Sequence, residues 1–172
     1  SGDELDGLDE LICTLDSVNG VKMISGITDD VLMERFISKL PSGTKCFCLF
    51  DCCHSGTILD LPYHYSVQTS TPIVENNYKL NAEVLCISGC KDKQCSADAY
   101  VGNEGFNGEK YAGAMTFTFF RIISESINVK SLETVTNEMV RNLKECGYPQ
   151  IPQITMSHKN IIKKPIGYFL NI

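Results

Sequence analysis

The stretch Lys45–Tyr65, KCFCLFDCCHSGTILDLPYHY, decides how the rest of the chain is read. Its first part, Cys46 to Phe50, is a continuous apolar run of the length expected for a strand buried on both faces of a sheet. The run breaks into Asp51-Cys52-Cys53-His54, after which Ser55 and Gly56 turn the chain. The carboxyl ends of strands in an open α/β sheet border the ligand crevice, so a nucleophile is commonly displayed at such a break. Most free cysteines are small core residues. Two adjacent ones between Asp and His, at a strand end and before a glycine, fit that role less well than a chemical one.

Upstream of this stretch, Thr28 is a good N-cap, and Asp29 and Asp30 follow where the helix macrodipole favours negative charge. Val31, Leu32, Phe36, Ile37 and Leu40 fall on one face at helical spacing, and Pro41 ends the helix. Leu11 to Leu15 reads as a strand ending at Asp16, and Asn19-Gly20 as the turn of a small hairpin. Strand, helix and the Cys46 to Phe50 strand then form a βαβ signature with parallel pairing.

Downstream, Thr57 to Tyr65 is irregular and Ser66 to Asn81 is a polar surface loop. Glu83 to Ser88 is a second buried-type strand, which breaks into the polar run Gly89 to Ala99. Ala114 to Ser126 is a helix with an apolar centre, expected to lie on the sheet. Ser131 caps another, with Leu132, Val135, Met139 and Leu143 three or four residues apart and Gly147-Tyr148-Pro149 at its end. Ile151 to Met156 and Ile166 to Ile172 read as extended.

Composition limits the function. The 172 residues are the size of one ordinary domain, and no repeat or boundary divides residues 1–172. A formal charge of -6 argues against a nucleic-acid surface and suits a cationic substrate or a divalent metal. No apolar run approaches the length of a membrane span, so no membrane role is expected. Nine cysteines without a CxxC metal pattern, and no N-x-S/T acceptor, point to free thiols in a reducing, cytoplasmic setting.

A cysteine nucleophile needs a base. His54 adjoins Cys53, but neighbours on an extended chain point in opposite directions. His64 and His158 lie in loop-like contexts that suit surface histidines, so the base is unassigned. Asp16, Asp29, Asp30 and Asp60 stand at the ends of expected elements, where hard cations gather carboxylates, although cap and turn roles explain each one singly. Asp51 could face a cationic substrate group or hold its own loop, and Asp98 leaves the same two options.

LFDCCHSGTILDLPY closely resembles the nucleophile segment of metacaspases, the caspase-like cysteine peptidases, whose usual form is a strand, then D-[SC]-C-H-S-G, then an LPY-type tail. DGLDELICTLD with the later ITDD resembles that family's acidic loop and Asp-Asp pair. SGCKDKQCSADA and QIPQITMSHK resemble two further family segments, so the likeness runs from about residue 3 to the end. The resemblance implies a caspase-like α/β fold, a mostly parallel sheet with helices on both faces, here without its first strands. It implies a calcium-dependent endopeptidase with Cys53 as nucleophile. Asp51 would lie at the base of a pocket for Arg or Lys before the scissile bond, and Asp16, Asp29, Asp30 and Asp60 would hold the activating calcium. Self-cleavage after a lysine would fall in Ser66 to Asn81 or Lys91 to Lys110. The partners expected are protein or peptide substrates, and the chain itself a monomer. The family's catalytic His sits in an H-x-S-G-H-G segment upstream of the position corresponding to Ser1. The His is therefore expected from a segment before residue 1, and the chain alone is expected to be inactive. The alternative is a catalytically inactive caspase-like regulatory or calcium-binding module.

Overall fold

The computed structural model describes residues 10–13, 18–19, 22–23, 26–52, 55–68, 70–90, 96–100, 111–126 and 130–171. Its strands are β1 (Leu11–Cys13), β2 (Val18–Asn19), β3 (Lys22–Met23), β4 (Gly26–Thr28), β5 (Lys45–Phe50), β6 (Tyr63–Tyr65), β7 (Pro72–Val74), β8 (Glu83–Ser88), β9 (Asp98–Tyr100), β10 (Tyr111–Gly113) and β11 (Gln153–Met156). Its α-helices are α1 (Asp29–Arg35), α2 (Ala114–Ser126), α3 (Leu132–Glu145) and α4 (Gly167–Leu170). Short 3-10 turns occupy Ile37–Lys39 and Lys159–Lys163.

The central sheet has five strands in the order β5-β8-β11-β6-β7. Strands β5 and β8 run parallel, from Lys45 opposite Glu83 to Phe50 opposite Ser88. Alternation along β8 sends Leu85 and Ile87 to one face and Val84 and Cys86 to the other, and all four are buried. On the first face they meet Met115, Phe119 and Ile122 of α2 and Leu132, Val135 and Met139 of α3. On the second they meet Met33 of α1, Ile37, and Ile58, Leu59 and Leu61 of the segment after the nucleophile motif. Burying a side chain of this size contributes roughly 1.5–3 kcal/mol, so both layers hold β8 as the rigid centre.

Much of the sequence expectation holds. The α/β class with helices on both faces is found. Strands β2 and β3 pair antiparallel where a hairpin is expected, with Asn19 opposite Lys22. Ser131 caps α3 by accepting from the N–H of Thr134 at 3.3 Å. The same helix ends at Gly147, whose φ of 83° only glycine adopts freely, and Tyr148 donates back to the Leu143 carbonyl at 2.9 Å.

Other expectations are corrected. The central sheet is mixed: β11 lies antiparallel to both β8 and β6, and β6 to β7, so β5 and β8 form its one parallel pair among the described strands. Strand β1 pairs antiparallel with β4 in a separate ribbon, so the expected βαβ unit does not form. Helix α1 stops at Arg35 and tightens into a 3-10 turn, which turns Met33 and Ile37 inward and leaves Val31 and Phe36 exposed. The irregular and loop stretches from Thr57 to Asn81 contain strands β6 and β7, each three residues long and too short to show a period. Gly167–Leu170, expected to be extended, is helical, which brings Phe169 into the core three residues after the buried N-cap Ile166. Among the described residues, no helix is long and apolar enough to cross a membrane.

Candidate active site

Strands β5 and β8 end side by side, and the N–H of Gly89 donates to the Phe50 carbonyl at 2.8 Å to close the parallel pair. One residue later the Asp51 side chain enters a cradle built by three other segments. Its Oδ1 accepts from the Ser96 hydroxyl, and its Oδ2 accepts from the backbone N–H of Thr116 at 2.9 Å, in the first turn of α2. Both donors are neutral, so the carboxylate is oriented without being paired to a cation among the described residues. The cradle leaves no room for a side chain at its walls. A Cβ at Gly113 would lie 2.0 Å from Asp51 Oδ2, and one at Gly89 would lie 2.8 Å from Oδ1 and 2.7 Å from Ser96 Oγ. Gln150 fixes the outer wall: its Nε2 donates to the Gly89 carbonyl at 3.1 Å, and its Oε1 accepts from the Ala97 N–H at 2.8 Å.

The next residue, Cys52, is exposed, while its carbonyl accepts from the Ser55 hydroxyl at 2.8 Å and from the Cys90 thiol at 3.6 Å. Ser55 and Cys90 are both fully buried. Cys53 and His54 lie outside the described residues.

Beneath this end, Cys46, Cys48 and Cys86 share one face of β5 and β8, with Cys48 directly opposite Cys86. The Cys46 and Cys48 sulfurs are 3.7 Å apart. The contact from Cys48 holds the Cys46 thiol down at about 7, against the opposing effect of burial. The same contact, then burial, pushes Cys48 up, and burial raises Cys86 to about 12. These thiols are packing residues rather than part of the cradle.

The acidic residues separate into two groups. Asp29, Asp30 and Asp60 converge, with one carboxylate oxygen from each lying within 4.8 Å of the others, whereas Asp51 belongs to the other cradle. Asp29 is 1% exposed, and its two oxygens accept from the N–H groups of Glu10 at 3.0 Å and Asp30 at 2.7 Å. Asp60 reaches the cluster from a left-handed turn, φ 43°, and its carbonyl accepts from the Asn76 amide at 2.7 Å. Asp16 lies outside the described residues.

Neither described histidine serves the cysteine segment. His64 is a sheet residue instead of a loop one: it bridges Glu75 at 3.1 Å and Gln153 at 2.7 Å. Strand β6 lies three inter-strand spacings from β5, roughly 14 Å. His158 follows Ser157, whose N–H donates to Val84, so it stands at the opposite end of the sheet from Asp51. Sequence reading did not find Ser96, Thr116, Gln150, Cys90 or Glu10 as site neighbours. The usable signal was the pair Gly89 and Gly113, each next to a strand end.

The Caspase domain family profile matches residues 1–160. The chain is 31% identical over 205 residues to metacaspase-1 of Debaryomyces hansenii, covering 91% of this chain and 44% of that protein. It is 32% identical over 157 residues to metacaspase-1 of Arabidopsis thaliana, covering 86% of this chain and 40% of that one. The chain thus spans less than half the length of these curated relatives. A crystal structure of a Geobacter sulfurreducens protein overlays with a TM-score of 0.57 at 21% identity, covering 95% of this chain and 63% of that one. The profile match, the metacaspase relatives and the shared fold agree, and the chain belongs to the caspase family of cysteine peptidases, on its metacaspase-like branch.

Proposed function

We propose that the chain carries the nucleophile half of a calcium-dependent cysteine endopeptidase that cleaves after Arg or Lys. The observation that carries this reading is Asp51: a carboxylate one residue before Cys52 is aimed by two neutral donors and, among the described residues, has no cationic partner, which suits a guanidinium or ammonium. Arg or Lys held there brings the following carbonyl to Cys53. The Cys53 thiol gives its proton to a histidine from a segment upstream of residue 1, and the thiolate sulfur bonds to the carbonyl carbon. The same histidine returns the proton to the leaving amine as the C–N bond breaks, and water then hydrolyses the thioester. A lysine within 66–81, or within 91–110, would be the site of self-cleavage.

The Asp29, Asp30 and Asp60 cluster fits calcium, since it offers only hard carboxylate oxygens from two segments brought within 4.8 Å. Asp16 would be the fourth ligand. Bound calcium would neutralise the cluster and fix Asp60, seven residues after Cys53, against the start of α1.

The test is hydrolysis of an Arg-containing fluorogenic peptide by the protein expressed with its whole reading frame, with calcium or a chelator. Activity is expected only with calcium, and Cys53→Ala should abolish it. Asp51→Asn should lower kcat/KM by about 100-fold or more, as loss of one partner of a desolvated charge pair does. Activity surviving Cys53→Ala would remove the peptidase reading. An intact protein inactive under every condition would favour the regulatory module.

A further inference from the structure

Glu10 links the two segments that supply the acidic cluster. Its backbone holds the first: the Asp29 N–H donates to the Glu10 carbonyl at 3.2 Å, and the Glu10 N–H donates to Asp29 Oδ2 at 3.0 Å. Its side chain holds the second, because its carboxylate accepts from the Thr57 hydroxyl at 3.1 Å. The Thr57 carbonyl accepts from the Asp60 N–H at 2.7 Å, closing the turn in which Asp60 has a φ of 43°. Asn76 also holds that turn, donating to the Asp60 carbonyl at 2.7 Å. Glu10 is 8% exposed and Asp29 1%, so water competes little for these bonds. The backbone bonds to Asp29 continue the pairing of Leu11 with Thr28, and strand geometry accounts for them. It does not account for the side chain, which turns inward to a residue 47 positions away.

Three carboxylates repel one another, so the segments that carry them tend to separate unless something holds them. A site whose ligands are gathered on folding binds more tightly, because that ordering is not charged to the binding step. Residues that hold metal ligands without touching the ion commonly change its affinity by about 10- to 100-fold. We propose that Glu10 is a positioning residue for calcium: it braces the Asp29–Asp30 segment against the Asp60 turn, through Asp29 and Thr57, and is not itself a ligand. The brace rests on the reading of the cluster as a calcium site and is independent of the peptidase reading.

The experiment is calorimetric titration of calcium into the protein expressed with its whole reading frame, in a Cys53→Ala background so that calcium starts no self-cleavage. Glu10→Ala should weaken calcium binding by about tenfold. Thr57→Val keeps the shape, removes the hydroxyl and should weaken binding by a similar factor. The double variant should be little worse than either single one, as expected when both remove the same contact. Glu10→Gln, whose amide oxygen still accepts from Thr57, should stay within about threefold of the parent. Variants that melt earlier but bind calcium as the parent does would overturn the brace and leave Glu10 a folding residue. Unchanged binding in Thr57→Val together with a large loss in Glu10→Gln would overturn it in favour of Glu10 as a ligand. If Glu10→Ala does not fold, Thr57→Val and Glu10→Gln decide. A parent protein that binds no calcium removes the calcium reading and the brace together, whereas binding that ignores Thr57→Val removes the brace alone.

Discussion

The two ends of the parallel pair β5 and β8 each hold a carboxylate, and they hold it in opposite ways. At the carboxyl end, Asp51 accepts from a hydroxyl and a backbone N–H, and two glycines let the backbone walls approach it closely. At the amino end, Glu83 accepts from the Lys164 ammonium and the Tyr168 phenol. Lys45 and Lys164 both lie 3.9 Å from the centre of the same Tyr168 ring, and Lys45 also donates to Asn171 at 3.5 Å. The amino end neutralises its charge and ties the C-terminal helix to the sheet. The carboxyl end orients a charge with neutral donors and, among the described residues, pairs it with no cation, an arrangement that costs stability unless a cationic partner arrives.

The sharpest way to break this contrast is Gly113→Ala. Its Cβ would fall 2.0 Å from Asp51 Oδ2, where backbone and carboxylate cannot both stay, so peptide cleavage should fall by about 100-fold, the cost of misplacing a group by an ångström. The melting temperature reports how far the loss is confined to the cradle. Wild-type kcat/KM in that variant would show that Asp51 is not the specificity group.

Glu83→Gln addresses the other end and should reverse the pattern, with cleavage unchanged and stability reduced by about 1 kcal/mol, the scale of a partly exposed pair. The pH dependence follows from the direction of the shift. Burial raises the Glu83 pKa, but Lys164 and Tyr168 together outweigh it and leave it below the ordinary carboxylate range. Its contribution is therefore present above the unfolded-state value and is lost as pH falls through the lower folded-state value. Urea melts across that acid range should show a steeper loss in wild type than in Glu83→Gln; parallel curves would mean that the cluster is ornamental.

The smallest effect lies midway along β5. Cys46, lowered to about 7, should react with iodoacetamide with a midpoint near that pH, while Cys86, raised to about 12, stays unlabelled until the protein unfolds. Peptide mapping distinguishes the two, and equal labelling at pH 8 would show that this layer opens.

Sequence made the strands β5 and β8 legible because each is an unbroken apolar run, and α3 because its cap, stripe and terminal glycine agree. The convergence of Asp29, Asp30 and Asp60 was visible in the residues as a pattern of element ends, and was grouped into one site by the family resemblance. Cys53 and Asp16 lie outside the described residues. The mixed sheet was not legible: the direction of β11 is set by a connection that carries no local signal, and β6 and β7 have three residues each. Nor was the cradle, whose donors come from residues 45 and 65 positions away from Asp51. His64 read as a loop residue because its partners, Glu75 and Gln153, are 11 and 89 positions distant.

Ser55, Gly56, Ile58 and Leu59 are buried, Thr57 donates to the Glu10 carboxylate at 3.1 Å, and Asp60 ends in the acidic cluster. Six residues therefore join the Cys52 carbonyl to the acidic cluster with little slack. Linkage is reciprocal: if the cluster binds calcium and Asp51 a basic peptide, whatever factor calcium adds to the affinity for the peptide, the peptide adds to the affinity for calcium. A cell's free calcium and its supply of substrate would then act as one combined input, each lowering the concentration at which the other suffices.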